Sequence, residues 1–255
     1  MAQPPSSWEP VAGWYDESVG QKGDFTHRTV VIPKSIRLLA PTKESKILDL
    51  GCGQGILGRE LGYVGRFTGV DISPALIASA RKRDTHPSHR YFIADATKPI
   101  PVAEKDFTHV SAVLMMDNVK NPDAIIKTAC KHLLPGGIFV FVINHPAFRI
   151  PRQSSWDIDT VNKIQSRKIN RYLSPLSIPI TLHPSKESSS PVTWTYHFPI
   201  SSYVEWLFRQ GFVVERLEEW VWEKTSIGKS GKMENRARTE FPMFLAIRAI
   251  KTKDI

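Results

Sequence analysis

The sequence predicts an α/β protein with a doubly wound, seven-stranded, mostly parallel sheet whose last strand runs antiparallel. Three observations carry this. From residue 46 to 143 short apolar runs alternate with helix-like segments, a rhythm that implies parallel β-α-β units. A glycine-rich turn, "GCGQG" at 51–55, ends the first apolar run and opens a helix. Near the C-terminus two apolar runs, "FVVERLEEW" and "FPMFLAIRAI", follow each other with only a polar stretch between them, so the second is expected to return antiparallel.

Taken in order, residues 1–13 read as a loose arm and "FTHRTVVIPKSIRLLA" as a helix interrupted or entered near Pro33. "KILDLG" is the first buried strand and "GILGRELG" the helix after it. "RFTGVDIS" is the second strand. It leads into "SPALIASARKR", where Ser73 is placed to cap a helix and Pro74 suits its first turn. "HRYFIADA" and "FTHVSAVLMMD" give strands three and four, and "NPDAIIKTACKHLL" a helix opened by Asn121 and Pro122. "PGG" turns the chain into strand five, "IFVFVIN". Residues 145–200 break the rhythm with Pro, Ser and aromatic residues. A stretch this long between core elements reads as an inserted lid, and "VTWTYHF" alternates as one strand of a small antiparallel hairpin. The core resumes with helix "SSYVEWLFRQ", ended by Gly211, then the two closing strands flanking a polar loop at 224–239. The expected organisation is a helical cap at 1–45, a core at 46–144, the lid at 145–200 and a C-terminal part at 201–255 that completes the core.

With 255 residues and 41% hydrophobic content the chain can bury a large core. Two cysteines make neither a disulfide framework nor a zinc site, which points to a reducing, cytoplasmic setting. No charged-then-apolar leader opens the sequence, and the longest apolar run, "IFVFVI", is too short to span a bilayer. The net charge of +9 leans towards residues 146–255, with a cluster at Lys163, Arg167, Lys168 and Arg171 whose spacing suits neighbouring faces of a helix. Scattered basic residues of this kind leave a nucleic-acid partner as an alternative rather than the first reading.

The glycine turn permits two ligands. Gly53, Gly55 and Gly58 match the dinucleotide fingerprint G-x-G-x-x-G, and Gly51, Gly53 and Gly55 match G-x-G-x-G. Both bring a ligand close to backbone that carries no Cβ. Asp49 favours the second, because a carboxylate inside the strand repels phosphate and attracts a cation. A sulfonium cofactor that carries an amino acid supplies that charge. Asp71 ends the second strand, where a carboxylate can accept both ribose hydroxyls. Asp95 ends the third, where its side chain and the following amide can read an adenine edge. All three stand at carboxyl ends of parallel strands, where open α/β sheets bind ligands.

On these residues, 46–143 resemble the class I S-adenosylmethionine (SAM)-dependent methyltransferases, which have a Rossmann-like fold, and most of all the quinone-biosynthesis-like, small-molecule members. "ILDLGCGQG" resembles their first motif, "GVDIS" the acidic strand after it, "ADAT" the second motif and "LLPGGIFVF" the entry to strand five. "WYDESVG" is similar to the family's N-terminal aromatic segment. The resemblance implies SAM as cofactor, with Gly51 and Gly53 at its methionine part, Asp71 on the ribose and Ile72 against adenine. It further implies Asp95 and the Ala96 amide on the adenine edge, Met115 near the transferring methyl and Tyr15 closing over the ligand. Gly58 is then a helix-packing residue. The chain departs from the family at Phe107-Thr108, where Phe-Asp is commoner.

Methyl transfer from a sulfonium is an in-line displacement that needs a base only if the acceptor must lose a proton. His145, just past strand five, is the best-placed candidate, and His197 the second. Phe148, Trp156, Trp194 and Tyr196 suggest an apolar or planar acceptor pocket, and Arg149 and Arg152 could pair an acidic substrate group. The Asn/Asp-Pro-Pro-Tyr/Phe tetrapeptide of N6-adenine and glutamine methyltransferases is absent, since "MMDN" stands after strand four. Asp117-Asn118 lacks a clear third ligand, so no metal is expected. The expectation is methyl transfer to a small molecule, with an RNA-modifying methyltransferase using the basic C-terminal part as the alternative.

Overall fold

The computed structural model describes residues 8–181 and 192–252. The remainder, part of the expected arm, the middle of the expected lid and residues 253–255, lies outside the described residues. Seven strands form one sheet in the order β10-β11-β5-β4-β1-β2-β3. They are β1 (Lys46–Leu50), β2 (Arg66–Asp71), β3 (His89–Ile93), β4 (Phe107–Val113), β5 (Leu133–Asn144), β10 (Phe212–Trp220) and β11 (Phe244–Lys251). β1 pairs parallel with both β2 and β4, and β4 with β5. β11 pairs antiparallel with β5 and with β10, which bears out the expected direction of the last strand.

The strand sequences explain the layering. Side chains alternate across a strand, and β1 and β5 are apolar on both faces, as a sheet covered on both sides requires. Leu48, Leu50, Phe139 and Phe141 join one core with α5 (Pro122–His132) and α6 (Ile200–Arg209). Ile47, Phe67, Val140 and Val142 join the other with α2 (Ile32–Leu39), α3 (Ile56–Glu60) and the packing face of α4 (Pro74–Arg83). All eight side chains have no solvent exposure, and burial of each contributes about 1.5–3 kcal/mol.

Before the sheet, the expected loose arm is helical in its described part. A 3-10 turn at Glu9–Val11 runs into α1 (Ala12–Val19). The next α-helix is entered at Ile32 with Pro33 in its first turn, as expected. A π turn over His27–Val31 leads into it, and the Ile32 N–H reaches back to the His27 carbonyl. This register relieves the clash that a proline ring makes with the carbonyl four residues earlier. α4 begins as expected, with Ser73 Oγ accepting the Leu76 N–H at 3.2 Å.

Residues 145–200 contribute two hairpins outside the main sheet. β6 (Ser154–Asp159) pairs with β7 (Ile164–Ile169), and β8 (Leu176–Thr181) with β9 (Val192–His197). The basic cluster is therefore not on a helix. Arg167 and Lys168 lie in β7, and Lys163 and Arg171 flank it with φ of 55° and 56°. The segment has no apolar stripe at helical spacing, and Ile164 and Ile169 serve as strand ends instead. A second correction concerns the polar loop at 224–239, of which Gly231–Glu240 is α7. Among its residues only Gly231 and Ala237 are buried, so no amphipathic pattern announced it. Asn235 anchors it by exchanging two hydrogen bonds with the Ser226 backbone, at 2.8 and 2.9 Å. Arg238 lies over the Trp222 ring at 5.3 Å.

Candidate active site

The turn after β1 is held against β2 by the Gly51 and Cys52 N–H groups, which both donate to the Val70 carbonyl at 2.7 and 3.0 Å. Gly51 has φ +73°, and a Cβ there would lie 2.6 Å from the Met115 side chain. Only glycine permits that approach. Gly53, at φ +54°, is open instead, with the Tyr15 ring 3.8 Å from where its Cβ would be. Gly58 faces the other way: a Cβ would stand 2.4 Å from the Tyr91 hydroxyl and 2.8 Å from Phe67. It packs α3 on the sheet, as expected.

Beyond the turn lies a cavity of about 560 Å³, within the range of small-molecule and cofactor sites. Tyr15, Gly51, Gly53, Asp71, Ile72, Asp95, Ala96 and Met115 all line it. Asp49 does not. It is 2% exposed beneath the turn, where Ser111 Oγ donates to Oδ1 at 2.7 Å, tying β1 to β4. Burial pushes its carboxyl up to about 7, against the opposing Ser111 hydrogen bond.

Asp71 is held in place through its own backbone surroundings. Oδ2 accepts the Gly53 N–H and Oδ1 the Ser73 N–H, each at 2.9 Å. An ionised carboxylate offers about four acceptor positions, so two remain for ligand hydroxyls. Burial raises this carboxyl, with the Ser73 and Gly53 donors opposing. Asp95 ends lower than an ordinary carboxyl. Burial pushes it up, but the Thr97 hydroxyl and backbone N–H, at 2.6 and 2.9 Å, and Lys98, at 3.2 Å, outweigh that. Two anchored carboxylates, open backbone at Gly53 and an exposed Ile72 form a cradle that fits an adenosine-bearing, amino-acid-bearing ligand.

The sequence did not point to other residues of this wall. Trp8 packs edge-on against Tyr15 at 5.5 Å, and both line the cavity with His27. Burial first, then the Asp71 charge, drives the Tyr15 hydroxyl far up, so it remains a neutral donor. Leu114, next to Met115, sits at φ +54°, a strained conformation for leucine. Asn118 Nδ2 donates to the Leu114 carbonyl at 3.2 Å and lines the cavity too.

The two candidate bases are not brought to this cavity. His145 is 1% exposed; its Nε2–H donates to Glu219 at 2.7 Å, and its Nδ1 accepts from the Ala147 and Phe148 amides at 3.2 and 3.4 Å. Burial lowers it below an ordinary imidazole despite the Glu219 partner. Both nitrogens are thus engaged within the chain, and a base at this position would first have to release one of these partners. His197 donates from Nε2 to the Tyr172 carbonyl at 2.7 Å and is likewise lowered by burial. Both histidines line a second cavity of about 370 Å³. It meets the first at Asn144, Ile180, Thr195 and Tyr196, which line both.

Comparison with known proteins agrees with this geometry. Residues 48–141 match the family described as "Methyltransferase domain". The ubiquinone biosynthesis O-methyltransferase of Hydrogenovibrio crunogenus is 30% identical over 135 residues, covering 51% of this chain and 56% of that protein. The alignment thus spans about half the length of that curated relative. An S-adenosylmethionine-dependent methyltransferase from Mesorhizobium loti superposes with a TM-score of 0.68 at 25% identity, covering 91% of this chain and 100% of that one. A second structure, from Listeria monocytogenes, shares the fold at a TM-score of 0.64 and 21% identity over 87% of this chain and 96% of its own. Motif, fold and cavity agree: residues 48–141 carry a methyltransferase domain, on the fold of the class I S-adenosylmethionine-dependent methyltransferases.

Proposed function

We propose that this protein transfers a methyl group from SAM to an oxygen atom of a small-molecule acceptor. One observation carries the reading: the residues expected around the cofactor, Asp49 apart, line a single cavity that meets a second one at Asn144, Ile180, Thr195 and Tyr196. The oxygen acceptor draws support from the relatives named ubiquinone biosynthesis O-methyltransferase. When bound, SAM supplies an electrophilic methyl on a positively charged sulfur. The chain's own residues bind and orient. Asp71 accepts the ribose hydroxyls, while Asp95 and the Ala96 amide read the adenine edge over Ile72. Gly51 and Gly53 admit the methionine part, and Tyr15 and Trp8 close over it.

Alignment of acceptor and methyl within the pocket can account for about 7–11 kcal/mol of barrier lowering. An oxygen acceptor gives up its hydroxyl proton on methylation, and in this reading the proton passes to water, so no histidine nitrogen need act as a base. Residues 145–200 serve as the lid over the acceptor, 1–45 as the cap, and 201–255 complete the core of 46–144. The RNA-modifying alternative loses ground because its basic cluster is dispersed, with Lys168 paired to Asp157 at 2.7 Å and Arg167 stacked on Trp156. Among the described residues no helix is long and apolar enough to cross a membrane, and the cysteine content favours the cytoplasm.

Calorimetry with SAM and with NAD(H), on wild type and Asp71→Ala, tests the cofactor. Micromolar SAM binding that is lost in the variant, with no NAD(H) binding, is expected. NAD(H) binding without SAM would overturn the reading. Transfer of labelled methyl to RNA, falling steeply with salt, would favour the alternative.

A further inference from the structure

The second cavity has a feature that methyl-donor binding does not use. Two arginines line it, Arg149 from the turn after β5 and Arg167 from β7. Arg167 is fixed on three sides: Nε donates to the Phe148 carbonyl at 2.8 Å, a terminal nitrogen donates to Ser154 Oγ at 2.9 Å, and the guanidinium lies 4.8 Å over the Trp156 ring. The Arg149 guanidinium makes no hydrogen bond or ion pair among the described residues. Burial weakens both cations, and Arg149 weakens Arg167 further by its charge. They are near enough to repel and have no counter-ion among the described residues. Nearby acids are engaged elsewhere, Asp157 with Lys168 and Glu219 with His145. Asp117 shares the cavity, but it accepts from Asn144 at 2.5 Å and burial raises its carboxyl towards the neutral form. It does not compete for the arginines.

Holding two partly buried cations together without an anion is unfavourable, unless the anion arrives with a ligand. A guanidinium offers paired donors that match a carboxylate or a phosphate. The wall shared by the two cavities fixes the geometry: a molecule anchored at the arginines extends past Thr195 and Tyr196 towards Met115.

We propose that Arg149 and Arg167 recognise an anionic oxygen group, carboxylate or phosphate, on the methyl acceptor. The acceptor class is then a hydroxylated organic acid or phosphate ester. This deepens the small-molecule reading above and rests on it.

The test is calorimetry on the protein saturated with S-adenosylhomocysteine. The probes are hydroxybenzoates, hydroxyphenylacetates and hydroxycinnamates, each beside its carboxamide, and phenyl phosphate beside phenol. At least one anion should bind about tenfold tighter than its uncharged partner. Preference confined to the acids identifies a carboxylate, and preference confined to phenyl phosphate a phosphate ester. Arg149→Gln should abolish the preference while SAM affinity stays unchanged. Arg149→Met, which keeps the buried stem and removes the charge, repeats the measurement should the glutamine variant fold poorly. Arg152→Gln, an exposed neighbour that lines neither cavity, should keep the preference. Anions that bind no tighter than their partners, or not at all, would overturn the proposal, as would a preference that survives loss of the Arg149 charge. Failure of SAM to bind wild type would instead defeat the methyltransferase reading itself.

Discussion

Arg83, at the end of α4, grips Asp16 on α1 through two hydrogen bonds of 2.6 and 2.8 Å. The same guanidinium reaches Gln54 Oε1 at 2.5 Å, and Gln54 in turn donates to the Gly20 carbonyl at 2.7 Å. One arginine therefore joins the N-terminal helix to the glycine turn. Tyr15 precedes Asp16, so this clamp sets how the aromatic wall sits over the cavity. Arg83→Ala should weaken SAM binding about tenfold and cost about 1–3 kcal/mol of stability, because a partly buried charged hydrogen bond is lost. Calorimetry and urea unfolding check both. Unchanged affinity would mean that the Tyr15 wall is held without the clamp.

Much of this arrangement could be read from the chain, for local reasons. Asp71 and Ser73 follow from strand-end and capping chemistry that depends on neighbours in sequence, and Gly51 from the short turn between strand and helix. Trp8, His27 and Asn118 could not be read this way, because each reaches the cavity through packing between elements distant in sequence. The signal for Asn118 was present in "MMDN", but its role depends on the left-handed Leu114, a conformation the sequence does not favour. Asp49 was legible as an unusual residue and misplaced by one layer. A strand residue alternates in facing, and nothing local reveals that Ser111 on the adjacent strand takes its carboxylate inward. His145 failed similarly, since its partner Glu219 lies on β10.

The buried Asp49 carboxyl makes stability depend on pH. Folding raises it from an ordinary 3.8 to about 7, so between these values the folded state holds a proton that the unfolded chain has released. The contribution is fully present below the lower value and is lost as pH rises towards the upper one. From pH 5 to 7 wild type should lose up to about 1.4 kcal/mol per pH unit relative to Asp49→Asn, which keeps a hydrogen-bonding carbonyl for Ser111 and has no proton to release. Urea unfolding of both proteins across that window measures the difference. Parallel curves would mean that Asp49 is ionised in the fold.

Gly58→Ala separates packing from ligand binding. The added methyl would meet the Tyr91 hydroxyl and the Phe67 ring, both rigid and buried, so the helix or the rings must shift. Overpacking of this kind costs about 1–3 kcal/mol. Tyr91 also donates to Asp84 at 2.6 Å, which limits how far its ring can yield. The variant should unfold at lower urea while its folded form keeps the wild-type SAM affinity. Gly51→Ala should do the opposite in emphasis, because its methyl would displace Met115 at the cavity wall. A SAM affinity lost in Gly58→Ala and kept in Gly51→Ala would reverse the roles assigned to these glycines.

His145→Gln tests whether this histidine holds structure or chemistry. Its Nε2–H answers Glu219, and its Nδ1 receives two amides of the turn that presents Phe148. Phe148 in turn packs edge-on against Phe241 at 5.4 Å and offers its carbonyl to Arg167. Glutamine can replace one of these bonds and leaves the others unmade, at a cost of about 1–3 kcal/mol in stability. The effect should reach the acceptor side through Arg167, so KM for the acceptor rises while kcat and its pH profile keep the wild-type form. A histidine acting as general base would give the reverse: a collapse in kcat and disappearance of the acidic limb of the profile. That outcome would require Nδ1 or Nε2 to leave its partner during turnover.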